Sequence, residues 1–299
     1  MRPRRSRNSS GDAVTPSGLA HVGLVGSGSM AHAVMLRLAR SGAQVHALDP
    51  AQRAVDGDDG EPCASLAALR DCTEVVVALL EDPVRAQALF ASDARGAADA
   101  TGSVVLDIGL MPPGLAYQLQ WPRGVRVYEG ALGHQLDGAG IVPALYIDAD
   151  ALAEPAIAWV ARTLADRVVP IAGRGRAKAI AAVEGLLMGV NAAIVREAAT
   201  LGAAAGIPFA TLMPLILKGS GATAMMPLEA ESWTAETAHS CDPESLREGV
   251  VRAFDAARRV SHPLLFGTIA MGVLAHRAAE SQPARGWREP TPRHRASAA

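Results

Sequence analysis

Residues 21–31 read His-Val-Gly-Leu-Val-Gly-Ser-Gly-Ser-Met-Ala: a short apolar run breaks into a G-x-G-x-x-A turn and passes straight into a helical pattern with Val34, Leu38 and Ala39 on its apolar face. That order of strand, glycine turn and helix demands a specific geometry. Gly26 permits the sharp turn, Gly28 lets backbone approach a bound pyrophosphate, and Ala31 is small enough for the helix to pack closely on its strand. The unpaired N–H groups of the first helical turn then face the phosphates. Asp49 closes the next apolar run, 21 residues beyond Gly28, where a carboxylate can bind both ribose hydroxyls of a dinucleotide. Gly26, Ser27, Gly28, Ser29, Met30 and Asp49 are therefore the expected cofactor-binding set. Asp49 favours NAD over NADP because it repels a 2′-phosphate; Arg53, within reach of such a phosphate, keeps NADP as the alternative.

The pattern that follows fits this start. Val45–Leu48, Val75–Leu79, Val104–Asp107, Val125–Tyr128, Leu145–Ile147 and Val168–Ile171 are expected strands, and Met30–Ser41, Pro83–Ala91 and Pro112–Leu119 expected helices. Strands alternating with helices predict a largely parallel sheet. After Gly175 the strand pattern stops. A helix of about 30 residues is expected from Arg176, then shorter ones at 208–218, 243–260 and 263–279, each opened by a proline. The expected fold is α/β: a Rossmann-type dinucleotide domain over 20–172, a long interdomain helix, and an all-α substrate and dimerisation domain over 173–280. Basic tails at 1–19 and 281–299 are expected to be disordered.

Composition removes other classes. Of the net charge of −2, each tail carries +3, so the body is acidic at −8 and unsuited to a nucleic-acid groove. Cys63, Cys72 and Cys241 show no metal-ligand spacing and are too few for a disulfide framework, so no metal is expected and a reducing cytoplasm is the expected location. Ala179–Val195 falls short of the roughly 20 apolar residues of a membrane span, and the basic start lacks the apolar core of a secretory signal.

On these motifs the sequence resembles the β-hydroxyacid dehydrogenase superfamily, which includes 3-hydroxyisobutyrate dehydrogenases, 6-phosphogluconate dehydrogenases and imine reductases. The resemblance spans roughly residues 20–280. It is carried by the G-S-G-S-M-A loop, by Val75–Pro83, by Asp107 followed by Pro112, by Glu197-Ala198-Ala199-Thr200-Leu201-Gly202 and by Ala256–Val260 before Pro263. It implies a hydride-transferring enzyme acting on a small molecule in the interdomain cleft, a homodimer with a shared site, and Leu80 and Glu81 beside the nicotinamide ribose.

The departures bear on the substrate. The family's D-A-P-V-S-G-G carboxylate loop reads Glu129-Gly130-Ala131-Leu132-Gly133-His134-Gln135, and its Lys-Asp pair reads Glu248-Gly249. Its catalytic lysine, with an asparagine four residues on, is counted to Ala181 or Ala182. Glu129-Gly130-Ala131-Leu132 instead resembles the D-G-A-I segment of imine reductases. A ketone needs a positioned acid, worth about 10²- to 10⁴-fold, whereas an iminium already carries the charge. The leading expectation is thus reduction of a small cyclic imine. The alternatives are a hydroxyacid dehydrogenase that uses Lys178 and a catalytically silent dinucleotide-binding protein. Lys178, Glu184 and His134 are the candidate acids, with His134 read as a loop residue and Lys178 equally as a solvent-facing one. Gly133, Met188 and Trp233 are expected to meet the substrate; Lys218–Gly221 is expected near the cleft, and Met226 in either pocket or core.

Overall fold

The structure, a computed structural model, describes residues 21–49, 60–94, 102–121, 123–137, 140–223, 226 and 243–280. Strands β1 (His21–Gly26), β2 (Gln44–Leu48), β3 (Gly60–Pro62), β4 (Val75–Leu79), β5 (Val104–Asp107), β6 (Arg126–Asp137), β7 (Gly140–Asp148) and β8 (Arg167–Ile171) form one sheet in the order β3-β2-β1-β4-β5-β6-β7-β8. Every neighbouring pair is parallel except β6 with β7. All of β4 is buried, as the uninterrupted Val-Val-Val-Ala-Leu run requires of a strand covered on both faces. Helices α1 (Gly28–Arg40) and α4 (Pro155–Leu164) pack on one face through Val34, Leu38, Ile157 and Val160, while Leu66 and Leu69 of α2 (Leu66–Cys72) and Ala86 of α3 (Pro83–Ala94) cover the other.

The helical half consists of α5 (Arg176–Ala204), α6 (Phe209–Ile216), α7 (Pro243–Arg259) and α8 (Leu265–Glu280). Where α5 crosses α7, a Cβ on Gly185 would lie 2.9 Å from the Cα of Gly249. That glycine pair lets the two backbones approach closely and brings Glu248 and Arg252 of α7 to the same cavity as α5. By length and composition α5 is capable of crossing a membrane, with a mean hydropathy of 1.6, contrary to the shortfall expected from its central segment. In the fold it packs instead against β6, α7 and α8.

Three further differences from the sequence reading have physical causes. The expected helix at Pro112–Leu119 is a turn with one 3₁₀ step at Ala116–Gln118: the Glu129 carboxylate accepts the N–H of Gly114 and also that of Ala116, which a helix would have given to the Pro112 carbonyl. The expected substrate loop 129–135 is strand, part of a long β6–β7 hairpin in which Gly133 pairs with Ala144 and His134 with Pro143, so His134 is not a loop residue. Short β3, α2 and α4 are additional elements.

Candidate active site

The strand order places the turn after β1 at the point where successive connections leave the sheet in opposite directions, the crevice where open α/β sheets bind dinucleotides. Gly26 has φ +151°, and a Cβ there would sit 2.9 Å from the Leu79 Cβ and 3.0 Å from its carbonyl, so the loop can lie against β4 only as glycine. At Gly28 the space is open: a Cβ there would meet no described atom within 4 Å. Ser27 precedes α1 and Ser29 lies in its first turn; Met30 is 44% exposed beside a cavity. Asp49 is buried directly after β2, and buried Leu80 and exposed Glu81 follow β4. A glycine cradle, an open helix start and an acid at the end of the second strand suit a dinucleotide. Arg53 and Trp233 lie outside the described residues.

Next to this loop is a cavity of about 430 Å³. Its walls come from Met30 and Val34 of α1, the segment 108–113 after β5, residues 131–134 of β6, one face of α5 and residues 246–255 of α7. On α5 that face carries Lys178, Ala181, Ala182, Glu184, Gly185 and Met188.

Lys178 is 4% exposed, which excludes the solvent-facing alternative. Its Nζ lies 2.5 Å from Oδ2 of Asp107, itself fully buried at the end of β5. The other Asp107 oxygen accepts the Gly109 N–H at 3.0 Å, so both oxygens are committed and the ammonium is held at one point of the cavity wall. Ala181 and Ala182 also line the cavity, but neither carries a titratable group. A counting difference of three residues is close to one helical turn and returns to the same face, so the lysine occurs where the alanines were expected to leave a gap. Four residues on stands Ala182, with no amide.

Two more buried carboxylates lie behind Lys178. Glu129, on β6 beside Asp107, accepts the N–H groups of Gly114 and Ala116 at 2.9 and 3.0 Å. Burial pushes its carboxyl up, opposed first by the charge of Lys178 and then by those two N–H bonds. Asp148 is also pushed up by burial, against the lowering contacts of the Tyr117 hydroxyl and the Glu129 N–H. Tyr117 donates its hydroxyl hydrogen to Asp148, and burial followed by this carboxylate raises the phenol well above its ordinary range. The Arg174 guanidinium lies over the Tyr117 ring, 5.1 Å from its centroid. Asp148 also accepts the N–H of Gly175, the residue before α5, so this network ties the start of that helix, and hence Lys178, to β5, β6 and β7.

Glu184 lines the same cavity about 1.7 turns along α5 from Lys178, about 120° around the helix. Its Oε1 accepts the His134 backbone N–H at 2.9 Å, while Oε2 is buried and makes no hydrogen bond with a described residue. Gly133 makes room for it: a Cβ there would fall 2.4 Å from Glu184 Oε2 and 2.6 Å from Tyr146 Cε2. Burial and then the nearby Glu184 carboxylate push the Tyr146 phenol up, opposed by Gln135, and its hydroxyl donates to the His134 carbonyl at 3.3 Å. The side chain of His134 is exposed, and what ties the residue to the site is its backbone. Met188 is half-buried in the cavity wall.

Sequence reasoning did not single out Arg252. Its guanidinium is half-buried at the cavity wall, lowered by burial and raised by the charges of Glu248 and Glu184. A planar guanidinium presents a fork of donors suited to a carboxylate. Lys218 is exposed and outside the cavity wall, and Met226 packs in a core with Val195 and Met213.

No protein-family model matches the chain. It is 30% identical to the L-threonate dehydrogenase of Cupriavidus necator over 219 residues, which cover 67% of this chain and 71% of that protein. The chain belongs to the β-hydroxyacid dehydrogenase superfamily. It is accordingly an NAD(P)-dependent oxidoreductase. Solved members of this superfamily share its fold: the Mycobacterium tuberculosis 3-hydroxyisobutyrate dehydrogenase with L-serine superposes with a TM-score of 0.70 at 16% identity, covering 89% of this chain and 96% of that one. A Streptomyces aurantiacus imine reductase gives 0.55 at 14%, covering 88% and 95%.

Proposed function

We propose that this oxidoreductase interconverts a small hydroxy acid and the corresponding oxo acid, with Lys178 as the proton carrier and Arg252 as the seat of the substrate's carboxylate. The observation that carries the reading is the Lys178 ammonium, buried in the cavity wall and held 2.5 Å from Asp107. The nicotinamide, when bound, supplies or accepts the hydride. In the reducing direction Lys178 gives a proton to the carbonyl oxygen as that oxygen takes the π-electron pair; in the oxidising direction the amine removes the hydroxyl proton. Asp107 orients Nζ in both. The expectation of an imine substrate rests on the want of an acid, and Lys178 answers that want. The names of the threonate and hydroxyisobutyrate dehydrogenases point to hydroxy acids as well. An iminium is the second reading, supported by the unbonded Oε2 of Glu184, which would attract a cation. Asp49 supports NAD as the coenzyme.

The test is to incubate the chain with NAD⁺ or NADP⁺ and short 2- and 3-hydroxy acids, and separately with NADH or NADPH and uncharged cyclic imines, following nicotinamide absorbance. Turnover of a hydroxy acid, faster with NAD⁺, is the expected result. Turnover of imines alone, or of nothing, overturns the proposal.

A homodimer belongs to the same reading. Val183, Leu187, Ile194 and Leu201 form an exposed apolar stripe along α5, repeating at helical spacing. A second copy is the occupant that the resemblance implies. Light scattering should give twice 30.9 kDa; a mass of one chain at micromolar concentration contradicts it.

A further inference from the structure

We propose that His46, Cys63 and Cys72 form a binding site for a soft, thiophilic cation of the zinc type, separate from the catalytic cavity. In sequence these residues are too far apart to suggest a ligand motif. The fold assembles them: His46 lies on β2, Cys63 follows β3 and Cys72 ends α2. The two Sγ atoms and a His46 ring nitrogen all lie within 4.8 Å of one another. Zinc bonds of about 2.3 Å to sulfur and about 2.0 Å to nitrogen put tetrahedral donors up to about 3.8 Å apart, so the three need to close by about 1 Å. The exposed Cys72 side supplies both that freedom and an entry path.

Two thiol sulfurs and an imidazole nitrogen match the ligand preference of zinc more than that of magnesium or calcium, which take oxygen. The second ring nitrogen of His46 is also provided for. Nε2 lies 2.9 Å from His21 Nδ1 and Nδ1 lies 3.4 Å from Glu61 Oε2, so whichever nitrogen binds the ion, the other keeps a partner that fixes the ring. Cys63 is further anchored by its N–H to the Ala47 carbonyl at 2.8 Å and packs beside Leu48, Leu66 and Leu69. Binding releases the thiol protons and leaves two thiolates on the ion. Such an ion ties α2 to β2, the strand that ends at Asp49, and so steadies the adenosine side of the cofactor cradle.

The experiment titrates Cd²⁺ into the full chain, kept reduced with a phosphine, and follows the near-ultraviolet thiolate-to-cadmium absorbance. One equivalent per chain is expected to saturate the band. Cys72→Ser and Cys63→Ser should each remove it and weaken Cd²⁺ binding by more than about 100-fold, the most that losing a mere supporting hydrogen bond around a metal costs. Retained nucleotide binding shows that each variant is folded. Cys72 is exposed, so its serine variant carries the test if Cys63→Ser does not fold. Absence of a saturable band, or a band that survives in the variants, overturns the proposal.

Discussion

Arg252→Gln should raise the KM for a carboxylate-bearing substrate about 30-fold and lower kcat little. Truncating one partner of a desolvated charge pair costs about 2 kcal/mol or more, and about 1.4 kcal/mol is tenfold. The lower end applies because the guanidinium is only half-buried and Glu248 and Glu184 share its field. The loss should fall on binding because the carboxylate is unchanged by the reaction, and contacts equal in ground and transition states move KM alone. The matching methyl ester lacks the charge that Arg252 reads, so its KM should be nearly the same in wild type and variant. Equal 30-fold losses for acid and ester would instead show a collapsed cavity. An unchanged KM for both would move the substrate's charge to Glu184 and favour the iminium reading.

What was legible in the sequence was local. The turn from Gly26 to Ala31 announces itself because each glycine answers a constraint within a few residues, and Asp49 is found by following one strand to its end. The uninterrupted apolar runs of β4 and β5 identify buried parallel strands for the same reason. The hairpin strands β6 and β7 were seen only in part. Gly130 and Gly133 dilute the alternation of β6, and the reason for Gly133, room for the Glu184 carboxylate, lies 51 residues away. The helix expected at Pro112–Leu119 failed because Glu129 captures its N–H groups from another strand.

The side chains proposed to move the proton and hold the substrate were harder still. Lys178 was on the short list, but its distinguishing feature is an ion pair to a residue 71 positions earlier, invisible to spacing along one helix. Arg252 sits in α7 among Arg247, Glu248, Asp255, Arg258 and Arg259. Nothing in that run of charges tells which arginine turns inward; the crossing of Gly185 with Gly249 decides it. His46, Cys63 and Cys72 converge only because β2, β3 and α2 bring them together.

Replacing Lys178 carries the largest expected effect and tests the central claim, that this lysine moves the proton. Lys178→Met should cut kcat by about 10²- to 10⁴-fold, the usual contribution of a positioned acid. It also strands Asp107 buried and charged, a loss of about 3–5 kcal/mol, which for a chain of this size lowers Tm by roughly 6–20 °C. A structural lysine would produce the second effect and drag activity down with it. Adding Asp107→Asn separates the two, because an asparagine beside methionine needs no counter-charge while its carbonyl still accepts the Gly109 N–H, and Glu129, which loses the attraction of Lys178 and the repulsion of Asp107 together, keeps its two N–H bonds. The decisive measurement is kcat for a hydroxy acid in the Lys178→Met/Asp107→Asn double variant, at a temperature where it is fully folded. If Lys178 carries the proton, most of the Tm returns and kcat stays at least about 100-fold below wild type. Recovery of kcat along with Tm would contradict the account and leave Lys178 a structural residue.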